Sequence, residues 1–428
     1  MEPRSLAVIA LAICLFAAFS KKAERSPITP PMFFLAVGFL FGDGGLGWIH
    51  LAIDGEAIRV LAEVTLVLVL FTDAARIDLA SLRREKNIPA RLLGIGMPLT
   101  IAAGAAAAVV VLPALGWIEA LLIAAILAPT DAALGQAVVS SPLVPMRIRQ
   151  SLNVESGLND GIALPVVLVL ASLAGAREAA GDAGYWLRFA ALAVTLGPLV
   201  GGAVGYVGGR VVAWGTRAGW INDPFQRIAG LGLGLLAYGA AEYVGGNGFI
   251  AAFVAGLALG STARGVCDGL YEFGEAEGQL LTLLVFLVFG ATILPGVLPH
   301  ATVGGLVYVL LSLTVVRMLP VALSLLGTGL RPASVAFLGW FGPRGLASIL
   351  FALLVIEEGR LASGPFLESI VVLAVLASTL LHGLTAYPLA RRYGAYFAAM
   401  QETRAEHADT MELPVRIPHS VHTTEDRS

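Results

Sequence analysis

The sequence predicts an all-α polytopic integral membrane protein of about 13 transmembrane helices, arranged as an inverted repeat with two broken, crossing helices. Three observations predict it. First, only 13% of the residues are charged and 57% are hydrophobic, whereas soluble domains carry about 25% charged residues. Second, thirteen mainly apolar runs follow one another along the chain, and a spanning helix needs about 20 such residues. Third, two of those runs are interrupted by Pro and Gly at matching depths.

The runs lie at roughly 5–20, 27–42, 60–79, 88–112, 117–135, 150–173, 185–213, 224–244, 247–262, 278–297, 300–327, 332–356 and 364–390. Lys21, Lys22 and Arg25 follow the first run. Basic residues after an apolar run favour a retained helix with its N-terminus outside over a cleaved signal peptide. With that start, the loops on the inner side hold 17 basic residues and those on the outer side five. The asymmetry supports thirteen spans with the C-terminus inside. Residues 1–392 read as one transmembrane domain: spans 1–6 and 8–13 are the repeats and span 7 is a linker. Residues 393–428 read as a short polar cytoplasmic tail. Asp73, Arg76 and Asp78 at the inner end of span 3 read as solvated interface charge.

The net charge of −3 gives no reason to expect a nucleic-acid partner. Cys14 and Cys267 fall in an apolar run and a polar loop, so no disulfide is expected, and no Cys/His spacing suggests zinc or iron–sulfur. No resident cofactor is expected.

Span 5 carries Ala128-Pro129-Thr130-Asp131 and span 12 carries Phe341-Gly342-Pro343-Arg344-Gly345, both at mid-depth. Pro lacks a backbone donor and clashes with the preceding turn, so both helices should unwind there. The breaks lie seven spans apart, so the two helices run in opposite directions. Interrupted helices at matching positions of two halves point to a transporter's binding site. Span 7 has Gly197, Gly201, Gly205 and Gly209, and span 9 has Gly248, Ala252, Gly256 and Gly260. Such stripes let helices approach closely, either within the chain, the reading preferred here, or across a dimer.

Ionisable groups at bilayer depth are costly and mark function. Asp131, Glu155, Asp160 and Arg344 are four of them. Residues four apart share a helix face, so Ser156 and Asp160 form one stripe and Glu155 and Asn159 the next. The first offers a hydroxyl and a carboxylate, which suit a hard cation. The second can bind neighbouring helices. Glu155 and Arg344 read as a buried ion pair clasping spans 6 and 12. Asp131 either belongs to the ion site or caps a half-helix N-terminus. Arg317 in span 11 either snorkels inward or holds backbone carbonyls.

The string Glu155-Ser156-Gly157-Leu158-Asn159-Asp160 resembles the signature of the monovalent cation:proton antiporters, in the sodium/proton exchanger branch that includes bacterial NhaP-like proteins. Thr130-Asp131, Asn247-Gly248-Phe249-Ile250-Ala251 and Gly342-Pro343-Arg344-Gly345 match it too, and the likeness covers roughly residues 5–392. The resemblance implies an NhaA-like antiporter fold, a homodimer with a dimer domain and a moving six-helix core, and a place in the cell (inner) membrane and in pH homeostasis. It implies that Asp160 alternately holds a cation or a proton, that Thr130 and Ser156 supply further ligands, and that Asn159 braces the crossing. The related electrogenic branch has a second Asp where this chain has Asn159, so one-for-one electroneutral exchange is expected. Na⁺ is the first expectation. K⁺ and Li⁺ also accept oxygen ligands, so K⁺/H⁺ exchange stays open. A channel would need a continuous pore, usually with a symmetric filter or charged ring. An intramembrane aspartyl protease using Asp131 and Asp160 would leave Arg344 and the repeat without a role.

Overall fold

The computed structural model describes residues 2–23, 26–50, 55–77, 87–178, 183–263, 278–359, 361 and 363–398. Asp78, Cys267 and the tail from 399 onward lie outside the described residues.

Each of the thirteen apolar runs contains helix among its described residues. The first four form α1 (Pro3–Ala23), α2 (Pro30–Phe41), α3 (Gly55–Ala75) and α4 (Asn87–Val111). Run 5 is split into α5 (Trp117–Ile126) and α6 (Ala132–Val139). Runs 6–9 are α7 (Met146–Glu178), α8 (Ala183–Arg217), α9 (Asp223–Tyr243) and α10 (Gly248–Thr262). Runs 10 and 11 are α11 (Gly278–His300) and α12 (Val303–Ser324), the latter interrupted at Thr314. Run 12 is split into α13 (Pro332–Trp340) and α14 (Leu346–Gly359), and run 13 is α15 (Gly364–Ala398). Seven of the described helices are long and apolar enough to cross a membrane unaided. The half-helices α5 and α13 are short because each stops at a break.

The ends follow local chemistry. Pro30 opens α2, where a missing N–H costs nothing. Asn222, Asn247 and Thr302 cap α9, α10 and α12, their side-chain oxygens accepting from Phe225, Ile250 and Gly305 N–H. Large apolar side chains such as Leu11, Phe19, Val110, Leu199 and Val303 are exposed. A membrane solvates such a surface; water does not.

Both glycine stripes are used within the chain. A Cβ on Gly201 or Gly205 would collide with the Ala251 or Ala255 carbonyl, so α8 lies directly on α10. A Cβ on Gly256 or Gly260 would collide with the Phe71 or Ala75 carbonyl, so α10 also lies against α3. The final helix continues six residues past the expected boundary at 392. Tyr393 and Phe397, four apart on one face, are buried. Tyr393 stacks on Phe337 at 4.2 Å between ring centroids and donates to Ser334 Oγ at 2.9 Å.

Candidate functional site

Span 6, helix α7, packs against both broken spans, and the site forms where these meet. Leu127–Asp131 and Phe341–Gly345 are non-helical, as their prolines require. The two breaks cross and complete each other. Asp131 N–H donates to the Pro343 carbonyl at 2.8 Å, and Leu346 N–H donates to Asp131 Oδ2 at 2.9 Å. Arg344 Nη1 donates to the Ala128 and Pro129 carbonyls at 2.7 and 3.0 Å. Ser348 Oγ donates to the Ile126 carbonyl at 2.9 Å.

The electrostatics are reciprocal. A helix N-terminus carries partial positive charge and a C-terminus partial negative charge. Asp131 of the first break caps the N-terminus of α14, beyond the second break. Arg344 of the second break covers carbonyls left open where α5 ends. Of the two sequence readings of Asp131, the cap is the one with a bond on the page, although the half-helix it caps belongs to the other broken span. Gly345 is required for that approach: a Cβ there would run into the Asp131 carboxylate.

Two residues of the signature string, Ser156 and Asn159, meet the first break. Thr130 Oγ1 and Ser156 Oγ lie 3.0 Å apart, and Asn159 Nδ2 donates to Thr130 Oγ1 at 2.7 Å. Thr130, Ser156, Asn159 and Asp160 are all buried. Asp160 stands one helical turn beyond Ser156 on the same face. Ser156 and Asn159, on adjacent stripes of α7, thus both contact Thr130 Oγ1 in the non-helical stretch of the first break.

One expected contact is different. Glu155 Oε1 pairs with Arg317 Nη2 on α12, at 2.5 Å, with both side chains 2% exposed. The clasp between Glu155 and Arg344 is thus corrected. The unwound stretch at 128–129 offers bare carbonyls that draw Arg344 Nη1, and Glu155 takes the other buried guanidinium. Arg317 is buried and pairs with Glu155 through Nη2. Its one sequence signal was a basic residue deep inside an apolar run. His382 and Ser378 on α15 were also missed; a His inside an apolar span was the available sign.

The family model described as "Sodium/hydrogen exchanger, transmembrane" matches residues 8–392. The chain belongs to the sodium/hydrogen exchanger family. Among curated relatives of this exchanger, the K(+)/H(+) antiporter NhaP of Alkalimonas amylolytica is 25% identical over 91% of the chain and 67% of its own length. The K(+)/H(+) antiporter NhaP2 of Shewanella oneidensis is 26% identical over 87% of the chain and 64% of its own length. The chain thus spans about two thirds of the length of these relatives. The solved sodium proton antiporter MjNhaP1 of Methanocaldococcus jannaschii superposes with a TM-score of 0.73 at 21% identity, over 92% of this chain and 99% of that one. The exchanger therefore has the antiporter fold. The family is one of secondary transporters, which excludes the protease reading, and Asp131 is engaged as a helix cap.

Proposed function

We propose that this chain exchanges a monovalent cation for H⁺ across the cell membrane, with Asp160 as the group that binds one or the other. The observation that carries the reading is the bridged Thr130–Ser156 hydroxyl pair at the crossing, one helical turn from the buried Asp160. Two hydroxyls and a carboxylate are hard oxygen ligands for an alkali cation. An empty carboxylate is too costly to carry through the membrane interior, whereas one neutralised by Na⁺ or H⁺ is not. Either ligand permits the switch between inward- and outward-facing states, so flux of one is coupled to counterflux of the other.

One-for-one stoichiometry rests on Asp160 as the one carboxylate on the Ser156 face of α7. Asn159, an amide bonded to Thr130, cannot carry a second proton. Na⁺ is the first assignment, in line with the family. K⁺ is the second reading, favoured by the two relatives named K(+)/H(+) antiporters. The inner membrane, an outside N-terminus, an inside C-terminus, a homodimer and a role in pH homeostasis complete the proposal. Orientation rests on the basic-residue asymmetry and the dimer on family resemblance.

The test is dequenching of a pH dye in proteoliposomes, with Na⁺, K⁺ and Li⁺ added in turn and the voltage clamped. Below the Asp160 pKa one proton competes for each cation, so the apparent KM for the cation should rise about tenfold per unit fall in pH. A flat profile would require separate sites. Cation flux driven by membrane potential alone would overturn the one-for-one stoichiometry.

A further inference from the structure

The second break lacks a hydrogen bond that a continuous helix would have. With the i→i−4 pattern intact, Arg344 N–H would donate to the Trp340 carbonyl. Here Arg344 N–H donates instead to Ser378 Oγ, at 2.6 Å. Ser378 Oγ lies 3.1 Å from His382 Nδ1, and His382 Nε2 lies 2.9 Å from the Trp340 carbonyl. His382 is 1% exposed and Ser378 0%. His382 Nδ1 also lies 3.0 Å from the Ser378 carbonyl, so both ring nitrogens face a backbone carbonyl. In the tautomer that carries its proton on Nε2, Nε2–H donates to the Trp340 carbonyl and Nδ1 accepts the Ser378 O–H, while Ser378 Oγ accepts from Arg344 N–H. The missing bond is thus replaced by three contacts in series, supplied by another helix.

We propose that the Ser378–His382 pair splints the break and thereby sets the position of Arg344 relative to the cation site; His382 and Ser378 are positioning residues for exchange. Arg344 passes the constraint on, since its Nη1 holds the Ala128 and Pro129 carbonyls immediately before Thr130. Thr130 in turn contacts Ser156 and Asn159. The path from His382 to the hydroxyl pair is therefore a continuous run of buried hydrogen bonds and two covalent segments. Such networks couple their members. A second tie reinforces it: Trp340 Nε1 donates to Thr385 Oγ1 of α15 at 3.0 Å.

This inference rests on the ion-site reading of Asp160, and the test separates the two. Apparent KM and maximal rate for Na⁺ are measured in proteoliposomes for Ser378→Ala, His382→Leu, their double variant, His382→Gln and Asp160→Asn, with melting temperatures for each. Ser378→Ala and His382→Leu are each expected to raise KM about tenfold with the maximal rate within about twofold, because a displaced ligand weakens binding before it blocks the switch. The double variant is expected to match the worse single, since both residues act in one chain. His382→Gln should restore KM, because an amide supplies one donor and one acceptor. If His382→Leu does not fold, Ser378→Ala decides. Parental KM in Ser378→Ala, with Asp160→Asn inactive, overturns the splint and leaves the ion site standing. Multiplying effects in the double variant overturn it too. An active Asp160→Asn overturns the ion site and this inference together.

Discussion

Asp160→Asn is expected to yield a folded protein, close to the parent in melting temperature, with no cation-dependent proton flux. The substitution keeps volume and shape and removes only the charge and the titratable proton. Asp160 is buried on α7, on the Ser156 face. Neutral Asn would resemble the loaded carrier electrostatically and could still allow the helices to rearrange. It would bind neither ligand tightly, so nothing would be exchanged. Dye dequenching in proteoliposomes at several pH values, together with thermal unfolding in detergent, measures both halves of the expectation. Flux near the parental level would remove Asp160 from the site. Flux lost together with the fold would mean that the carboxylate is structural.

The architecture was legible because membrane spans announce themselves. An apolar run of spanning length has few alternatives to a helix in lipid. Pro129 and Pro343 marked both breaks, since a missing donor and a ring clash act locally. The helical faces of Ser156, Asn159 and Asp160 were legible for the same reason: they follow from periodicity within one helix.

What the sequence did not carry was the choice of partner across helices. Glu155 had two buried guanidiniums within the same fold, Arg317 and Arg344, and spacing ranks neither. The choice depends on where unwound carbonyls emerge, which is a property of the assembled crossing. Asp131 illustrates the same limit. Its type and position at a helix break allowed an ion-site role or a cap, and the N–H it satisfies belongs to Leu346, in the other broken span. Tyr393 and Phe397 were read into the tail because residues 393–428 are polar as a whole. Their burial depends on α13 offering Phe337 and Ser334 as partners.

Removing either member of the Glu155–Arg317 pair is expected to destabilise the protein strongly, by about 3–5 kcal/mol, because the partner is left as an uncompensated buried charge. Glu155→Gln and Arg317→Gln should therefore each lower the melting temperature markedly. The double variant should lose less than the sum of the two, since neither charge is then orphaned. Arg344→Gln supplies the comparison. Its Nη1 is bonded to the Ala128 and Pro129 carbonyls, so its loss exposes backbone acceptors and leaves Glu155 with its partner. The coupling of Glu155 with Arg317 should thus exceed its coupling with Arg344. Equal couplings would mean that the carboxylate is shared between both guanidiniums and that the pair does not tie span 6 to span 11 in particular. Strict additivity with Arg317 would remove the pair as a stabilising contact. A fall in cation affinity without loss of stability in Glu155→Gln would move Glu155 into the ion site, and the division of α7 into a ligand stripe and a bracing stripe would then fail.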